Sequence, residues 1–511
     1  MRARAVRLVT PAPAWHARIG IDRSGDGTTM DATILTSPTA LLGQWRGGAA
    51  ADATGADYER WWRQEGQAIS AAIDRAGTPG LRMFDRCGWR EDAVLYPPDY
   101  RRMLLRGYAT GIVAAAADED SLLPGYHLGY VTSFFDPGLY CPYTVSLGTL
   151  VPLLKYAPGP LRDRFVPRLA RRDEGVWQGA TWMTEAGSGS DLGRHVHTRA
   201  RRADDRWYLS GDKYFCSNVD AELAVVAARP EGAPDGVRGL ALFLVPRVRE
   251  DGGLNHRIRR LKDKIATRSV PTGEVELDEA EAWLLGEADQ GIYLIMEVLN
   301  TSRVANSIAA VALVQRALAE ADGFAREREL FGRPLREQPL FAGQLDRWLQ
   351  HLRGGFALAW EAADLLESVW RETPPYSERY HLFRLLAHLA KYHTAEQAIR
   401  AAQWSMEAHG GAGAIAEYGV ERLLREAMIL AIWEGTPHRQ MLDGLEVMQR
   451  QQAHEALFAH LGEPDGTEDQ RRAIQSLLDT GDEAGVEPVF RDLAEWTARV
   501  LAEDRLPRAG D

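Results

Sequence analysis

The spacing of apolar residues changes twice along this 511-residue chain, and this change limits the fold more than any other feature. Residues 37–174 carry apolar side chains mostly at helical spacing, with prolines mainly in the connections. Residues 175–286 hold short β-type runs separated by turn residues. Helical spacing returns over 287–450 and continues, with breaks, over 451–511. Helices, then a β unit, then more helices predict an α+β, mostly α fold with segregated layers.

Composition fits an ordinary globular protein, with 45% hydrophobic and 26% charged residues and no apolar run long enough to span a bilayer. Residues 1–36 are weakly patterned, which predicts a disordered N-terminal extension. The cysteines lack metal-like spacing, so we expect free thiols, a cytoplasmic protein and no metal site. The net charge of −12 argues against nucleic-acid binding over the whole surface. We attribute the scarcity of lysine to genome composition; it occurs at Lys155, Lys213, Lys262, Lys264 and Lys391.

The most informative short segment is 432–436, which reads Ile-Trp-Glu-Gly-Thr. It sets Glu434 between a large aromatic ring and a flexible glycine. Poor solvation raises the pKa of a carboxyl and makes it more basic, and glycine lets a ligand come close. The segment is therefore a candidate for a general base. A helix end marked by Gly435 explains the same residues without a catalytic role.

Four other segments have the chemistry of a ligand site. The small residues and hydroxyls of 183–191 can hold a phosphate or the polar edge of a flavin. Residues 211–217 offer an aromatic and a hydroxyl to a flat ligand. Residues 326–335, with Gln338 beyond, suit a pyrophosphate and an adenine, and the glycine turn at 407–413 allows close backbone approach. Each segment taken alone also fits an ordinary turn or helix end.

In this order, the segments resemble the acyl-CoA dehydrogenase family over residues 40–450. The family's Thr-Glu-Pro-x-Ala-Gly-Ser-Asp, Lys-x-aromatic-x-Ser, Arg-x-x-Phe-Gly-x-x-Leu and Glu-Gly-Thr patterns are matched at Thr184, Glu185, Gly189, Ser190 and Asp191, at Lys213, Phe215 and Ser217, at Arg328, Phe331, Gly332 and Leu335, and at Glu434, Gly435 and Thr436. Residues 260–264, 268–269 and 432–435 are closer to the AidB-like branch of that family.

The resemblance implies an acyl-CoA dehydrogenase-like fold. Its parts would be an N-terminal helical domain over 37–174, a middle β domain over 175–286 and a C-terminal four-helix bundle over 287–450, followed by an extra helical segment over 451–511. FAD would lie between the β domain and the bundle. Some bundle residues would hold the FAD of a neighbouring subunit, which implies a homo-oligomer, a dimer or a tetramer.

The resemblance also assigns roles to single residues. Glu434 would remove the α-proton of an acyl thioester while a hydride leaves the β-carbon for the flavin. The substrate would lie near Ser190, Asn300 and Arg303, although Asn300 replaces an aspartate of some fatty-acyl members and Glu407 a usual glutamine. Contacts with FAD would come from Met183, Thr184, Ser190, Phe215, Ser217, Arg328, Phe331, Gln338, Glu407, Gly410, Gly411, Gly435 and Thr436.

The activity so implied is FAD-dependent α,β-dehydrogenation of an acyl thioester, bound to coenzyme A or a carrier protein, with an electron-transfer flavoprotein as candidate acceptor. A flavin-dependent monooxygenase on the same fold is one alternative, and retention of Glu434 argues against it. An AidB-like DNA-associated flavoprotein is another. Founding members of that branch have a basic C-terminal part, whereas here Asp and Glu outnumber the arginines. We therefore expect no nucleic-acid partner and no membrane partner.

Overall fold

The computed structural model describes residues 32–48, 52–187, 189–204 and 206–507. The predicted N-terminal extension, residues 1–36, lies outside these ranges except for its last five residues. Those residues form helix α1 (Ala32–Thr36), so helical structure begins before residue 37. Leu35 is buried, and Gln315 donates hydrogen bonds to the carbonyls of Ile34 and Leu35. These tertiary contacts hold a segment whose own sequence pattern is weak.

Helices make up most of the N-terminal unit, which comprises α2 (Pro38–Arg46), α3 (Ala53–Trp61), α4 (Gln67–Ala76), α5 (Tyr100–Ala109), α6 (Ala115–Asp118), α7 (Leu123–Phe135), α8 (Pro137–Tyr156) and α9 (Gly159–Leu169). Asp136 caps α8 by accepting from the N–H of Leu139, and Pro137 takes the first helical position. A hairpin of β1 (Gly80–Phe84) and β2 (Arg90–Leu95) interrupts the helices. The predicted helical texture lacks this hairpin, because its partly exposed strands contain no apolar run.

The middle unit is a small barrel. Its strands are β3 (Gly179–Trp182), β4 (Arg199–Ala203), β5 (Arg206–Ser217), β6 (Leu223–Pro230), β7 (Ala241–Pro246), β8 (Arg257–Leu261) and β9 (Thr272–Leu285), with helix α10 (Leu192–His195) before β4. The pairings β6–β4–β5–β9–β7 return to β6 and close a ring. Both faces of β6 and β7 are buried, Val226 and Phe243 inside the barrel and Val225 and Leu244 against the helices. Their sequences are therefore continuously apolar rather than alternating.

The C-terminal bundle contains α11 (Gly291–Glu327), α12 (Pro339–Val369), α13 (Glu378–His409) and α14 (Val420–Ile432). A short hairpin, β10 (Glu329–Leu330) and β11 (Arg333–Pro334), connects α11 to α12. The helical spacing over 291–328, 340–370, 380–407 and 418–432 matches these helices to within two residues at each end. Long, strongly periodic segments of this kind are the ones that sequence reasoning places best.

The last helices are α15 (Pro437–Gln451), α16 (Ala453–His460), α17 (Thr467–Thr480) and α18 (Val486–Arg505). The predicted boundary at 450/451 falls in the last turn of α15. Helix α18 packs closely on the bundle, since a Cβ on Gly444 of α15 would lie 2.3 Å from the ring of Phe490. The extra segment therefore belongs to the same helical core. The α+β, mostly α architecture confirms the predicted fold class.

Candidate active site

Glu434 follows directly on the end of α14, in a backbone conformation that few glutamates adopt. Trp433 is extended, and Glu434 and Gly435 then have φ of +56° and +100°. A positive φ is uncommon in residues other than glycine and clusters at functional sites. A Cβ on Gly435 would lie 2.6 Å from Nε2 of Gln440. The helix end and the unusual turn are thus one feature, which only glycine at 435 permits.

Side chains from three helices hold the carbonyls of this turn. The carbonyl of Glu434 accepts from Nε of Arg303 at 3.2 Å and from Nε2 of Gln440 at 2.9 Å. The carbonyl of Gly435 accepts from Nε2 of Gln440 at 3.0 Å and from Nζ of Lys391 at 2.6 Å. Buried donors on both carbonyls fix the two peptide planes to which these carbonyls belong. They thereby fix the direction of the Glu434 side chain.

The carboxyl of Glu434 is left without such partners. The residue is half-buried, yet its Oε2 is inaccessible to solvent and has no hydrogen-bond partner within the described ranges. Burial raises the pKa of Glu434 to about 7, against the opposing charges of Arg303 and Lys391. The backbone N–H of Glu434 also lacks an acceptor in the part of the chain that the structure describes. A free carboxyl poised near neutral pH, beside a free N–H donor, has the properties of a general base site.

Arg303 and Asn300, which the resemblance places near the substrate, lie behind Glu434 on α11. Nη1 of Arg303 donates to Oδ1 of Asn300 at 2.8 Å, and its Nη2 donates to Oδ2 of Asp443 at 3.1 Å. Arg303 is almost fully buried. Its donors hold the Glu434 loop, while Nδ2 of Asn300 stays buried with no partner in the described residues.

The predicted flavin-ring residues lie at the ends of β3 and β5. Met183 and Thr184 follow β3, and the carbonyl of Thr184 accepts from the N–H of Tyr214 at 3.0 Å, which joins the two segments. Phe215 is 58% exposed and Ser217 is half-buried. A largely exposed aromatic ring next to buried strands offers a platform for a flat ligand. Further on, Ser190 lies exposed in the turn before α10, and Ser188 lies outside the described residues.

Glu185, in the same motif, is a buried anchor. Its Oε1 accepts from Nζ of Lys213 at 2.8 Å and from the N–H of Thr198 at 3.0 Å, and its Oε2 accepts from the N–H of His197 at 2.7 Å. Lys213 is itself fully buried on β5. The pair ties the start of the motif and, through Glu185, residues 197 and 198 to the barrel.

A cavity of about 700 Å³ opens between the end of α11, the β10–β11 hairpin, α12 and the end of α13. Six of the residues that the resemblance assigns to FAD line it, namely Arg328, Phe331, Gln338, Glu407, Gly410 and Gly411. Aromatic walls come from Phe324, Phe341, Trp404 and Tyr418. Arg328 is exposed, whereas its neighbours Arg326 and Arg336 are paired with Asp322.

The chemistry of this cavity fits the adenine and pyrophosphate of FAD. Aromatic walls suit a base, an accessible guanidinium suits a phosphate, and a Cβ on Gly410 or Gly411 would meet only open space. Phe331 and Gly332 form a two-residue hairpin loop with φ of +53° and +83°, which presents the Phe331 ring at 99% exposure. Glu434 and the flavin-ring residues do not line this cavity.

Thr436 and Cys141 complete the surroundings of Glu434. Thr436 is the N-cap residue of α15, yet its hydroxyl does not cap the helix and is left for a ligand. Cys141 lies on α8. Burial raises the pKa of its thiol to about 11, with the charges of Lys264 and Glu434 and a hydrogen bond with Ser217 as further influences. The charge of the base and a hydroxyl of β5 therefore both act on this one thiol.

Sequence reasoning missed the residues that support the base. Lys391 of α13 and Gln440 of α15 reach the Glu434 turn directly, and Asp443 of α15 holds Arg303, which reaches it. None of the three belongs to a motif that the sequence makes visible. Two signals could have pointed to them. Lys391 is one of only five lysines, and Gln440 lies one helical turn beyond Thr436 on the same face.

Other candidate functions find no supporting site. His388 and His393 bond to Gln440 and Gln397, and no group of three or more potential ligands within the described ranges is arranged to hold a metal. No helix in the described chain combines the length and apolarity that a bilayer crossing needs. Four arginines of the last segment form ion pairs with carboxylates, namely Arg471, Arg472, Arg491 and Arg505.

Three family models match successive parts of this chain. Residues 29–174 match the adaptive response protein AidB N-terminal domain, residues 180–280 the acyl-CoA dehydrogenase middle domain, and residues 289–448 the acyl-CoA dehydrogenase C-terminal domain. The AidB protein of Escherichia coli (strain K12) is 32% identical over 415 residues, which cover 76% of this chain and 73% of that protein.

Two comparisons with Caenorhabditis elegans agree. Acyl-CoA dehydrogenase family member 11 is 30% identical over 403 residues, which span 75% of this chain and 65% of the worm protein. The solved structure of ACDH-11 in complex with C11-CoA has a TM-score of 0.79 at 25% identity and covers 97% of this chain and 93% of that one.

The chain belongs to the acyl-CoA dehydrogenase family, in its AidB-like branch. Members of this family are FAD-dependent oxidoreductases. The family, the fold and the cofactor predicted from the sequence are confirmed, while the roles of single residues remain predictions.

Proposed function

We propose that this protein removes one hydrogen from the α-carbon and one from the β-carbon of an acyl-CoA thioester, with Glu434 as the base. The observation that carries the proposal is the buried Oε2 of Glu434, which has no partner within the described residues and belongs to a carboxyl with a pKa of about 7. The α-proton moves to this carboxylate. The free N–H of Glu434 donates to the thioester carbonyl and stabilises the charge that develops there.

FAD would be held by two surfaces of the protein. Met183, Thr184, Phe215 and Ser217 border its ring, and the cavity with Arg328 holds the adenine half of the cofactor of another subunit. When bound, FAD accepts the hydride that leaves the β-carbon. The two surfaces are separate in one chain, which supports a homo-oligomer, a dimer or a tetramer. Exposure of Phe331 supports a subunit contact there.

Coenzyme A is the proposed carrier of the acyl group, supported by the C11-CoA present in the worm structure. Ser190, Asn300 and Arg303 remain the residues that we assign to the substrate side of the site. Arg303 acts through the Glu434 carbonyl and Asn300 through its buried, unpartnered Nδ2. An electron-transfer flavoprotein is the proposed acceptor of the electrons from the reduced cofactor.

Anaerobic titration of the FAD-loaded protein with acyl-CoAs of increasing chain length tests the proposal. We expect loss of the oxidised flavin absorbance with at least one thioester. Glu434→Gln should slow it by about 10²–10⁴-fold, the usual contribution of a general base, with FAD content unchanged. The matched control is Glu446→Gln, because Glu446 is a solvent-accessible carboxylate of α15 that pairs with Arg450. This variant should behave as wild type. Full bleaching by the Glu434 variant would contradict the assignment.

No observation specifically favours either alternative function, the DNA-associated flavoprotein or the flavin-dependent monooxygenase. Four arginines of the last segment are paired, Arg471 with Glu455 and Glu468, Arg472 with Asp469, Arg491 with Glu487 and Arg505 with Glu361, so these four present little free positive charge to a duplex. Retention of Glu434 argues against a monooxygenase. Salt-sensitive duplex binding, or oxygen insertion dependent on reduced flavin, would revive one or the other.

A further inference from the structure

Lys391 links the end of α14 to the turn that carries the base. It lies on α13 with 1% of its surface exposed. Its Nζ donates to the carbonyl of Ala431 at 2.8 Å and to the carbonyl of Gly435 at 2.6 Å. The first carbonyl is in the last turn of α14, where helical acceptors lack intrahelical partners. One ammonium therefore satisfies the helix end and fixes the Gly435–Thr436 peptide, just beyond Glu434.

The ammonium differs from those of Lys155 and Lys213 in its counter-charge. Lys155 and Lys213 bond directly to Glu297 and Glu185. No carboxylate forms an ion pair with Lys391 within the described ranges, and the negative groups that act on it are Glu434 first and Glu396 second. A buried ammonium without a bonded carboxylate is costly unless a nearby charge compensates it. Glu434 is the main compensating charge.

We propose that Lys391 is a positioning residue that holds the Ala431 and Gly435 carbonyls on either side of Glu434 and, through its charge, keeps Glu434 ionised for proton abstraction. This inference rests on the function proposed above and adds a residue to it. Arg303 supplies the other cation facing Glu434, but its guanidinium already has Asp443 as a partner. Lys391 is thus the cation whose charge is least neutralised by other groups.

Charge on Lys391 and on Glu434 is mutually dependent. Burial lowers the pKa of Lys391 to about 7, while Glu434 raises it. When Lys391 loses its charge, Arg303 is the one remaining cation of the two that counteracts the effect of burial on the Glu434 carboxyl. The pKa of Glu434 therefore rises. The titratable and charged groups around the pair are Arg303 on α11, Arg384, His388 and Glu396 on α13, Cys141 on α8, and Arg439 and Asp443 on α15.

The test is the pH profile of anaerobic flavin bleaching in the FAD-loaded protein, from pH 5 to pH 9, with the best acyl-CoA from the chain-length panel. Lys391→Gln keeps N–H donors for the two carbonyls and removes the charge. We expect its profile to shift upward by about one pH unit, with about tenfold slower bleaching at pH 7 and recovery near pH 9. Lys391→Met removes the N–H donors as well as the charge. It should therefore cause a further loss of bleaching rate that high pH does not restore.

Lys391→Arg restores the charge and should return the midpoint toward wild type. A Lys391→Gln protein that binds FAD and keeps the wild-type midpoint would overturn the inference. If neither neutral variant binds FAD, the Arg variant decides: a midpoint that follows wild type supports the charge, and one raised by a full unit opposes it. Failure of the wild type to bleach with any acyl-CoA would instead count against the proposed function, so the two failures are distinguishable.

Discussion

Glu185 and Glu434 are glutamates inside two ligand-site motifs, and the donors around them give them opposite properties. Glu185 accepts from Lys213, from the N–H of His197 and from Thr198. Burial raises its pKa, but Lys213 and the hydrogen bonds outweigh burial and hold the pKa below its ordinary value. No donor reaches Oε2 of Glu434 in the described residues, and burial carries its pKa up to about 7.

The difference shows that burial does not by itself make a base. A buried carboxylate surrounded by donors is stabilised as an anion and does structural work, since it holds the 184–198 loop against β5. When the nearby donors bond to the backbone carbonyl of the same residue instead, the buried carboxylate remains available to accept a proton. The protein places Arg303 and Gln440 on the Glu434 carbonyl and leaves the Glu434 carboxyl free.

Removal of the Glu185 charge should have the largest effect on stability. Glu185→Gln leaves the Lys213 ammonium buried without its counter-charge, and breaking such a pair costs about 3–5 kcal/mol in the free energy of unfolding. Urea denaturation monitored by fluorescence measures the loss. The double variant Glu185→Gln, Lys213→Met removes both charges and should recover much of it. A change below about 1 kcal/mol in the single variant would erase the contrast between the two glutamates.

The pH dependence of bleaching should show the opposite character of Glu434. Proton abstraction requires the ionised carboxylate, so the rate should rise with pH through a midpoint near 7 and level off above it. At pH 5 the rate should be roughly 100-fold below the plateau, tenfold for each unit below the midpoint. Stopped-flow absorbance over pH 5–9 records the profile. A midpoint near 4.5 would mean that burial does not affect this carboxyl.

A smaller effect should appear in thermal stability. Because the pKa of Glu434 is about 7 in the folded state and 4.5 as its ordinary value, the folded state binds the proton more tightly. Stability is therefore lost as pH rises from 4.5 to 7. Glu434→Gln removes this loss, so its Tm should exceed that of wild type by about 2 °C at pH 8 and match it below pH 4.5. Calorimetry on the FAD-loaded proteins checks the crossover, and a lower Tm for the variant at pH 8 would contradict it.

Sequence patterns carried the architecture well, because long helices such as α11 and α13 repeat apolar residues over many turns. The order of the motifs predicted the candidate site for a similar reason, because each motif is a short continuous stretch of sequence. The sequence did not predict the β1–β2 hairpin, because its strands are short and half-exposed. It did not predict α1 either, because that helix depends on contacts with Gln315. The closure of the barrel through β6 and β7 is likewise a tertiary fact.

The support of the base could not be read from the sequence. Lys391 precedes Glu434 by 43 residues and Arg303 precedes it by 131, on different helices. Periodicity tells which face of a helix is buried, but not which carbonyl a buried lysine will find. The conformation of Glu434 itself, with φ of +56°, is set by those contacts. Roles that depend on donors and acceptors from distant helices appear only when the chain is folded.

Every lysine of this chain keeps its amine engaged inside the protein. Lys155, Lys213 and Lys262 bond to carboxylates, and Lys264 and Lys391 donate to carbonyl or hydroxyl oxygens. Thioesters of the kind that we propose as substrates transfer their acyl groups to free amines without any enzyme. Guanidinium groups, which stay protonated, do not react in this way. A surface rich in arginine, with its lysines engaged, would therefore offer few free amines to the thioesters that we propose as substrates.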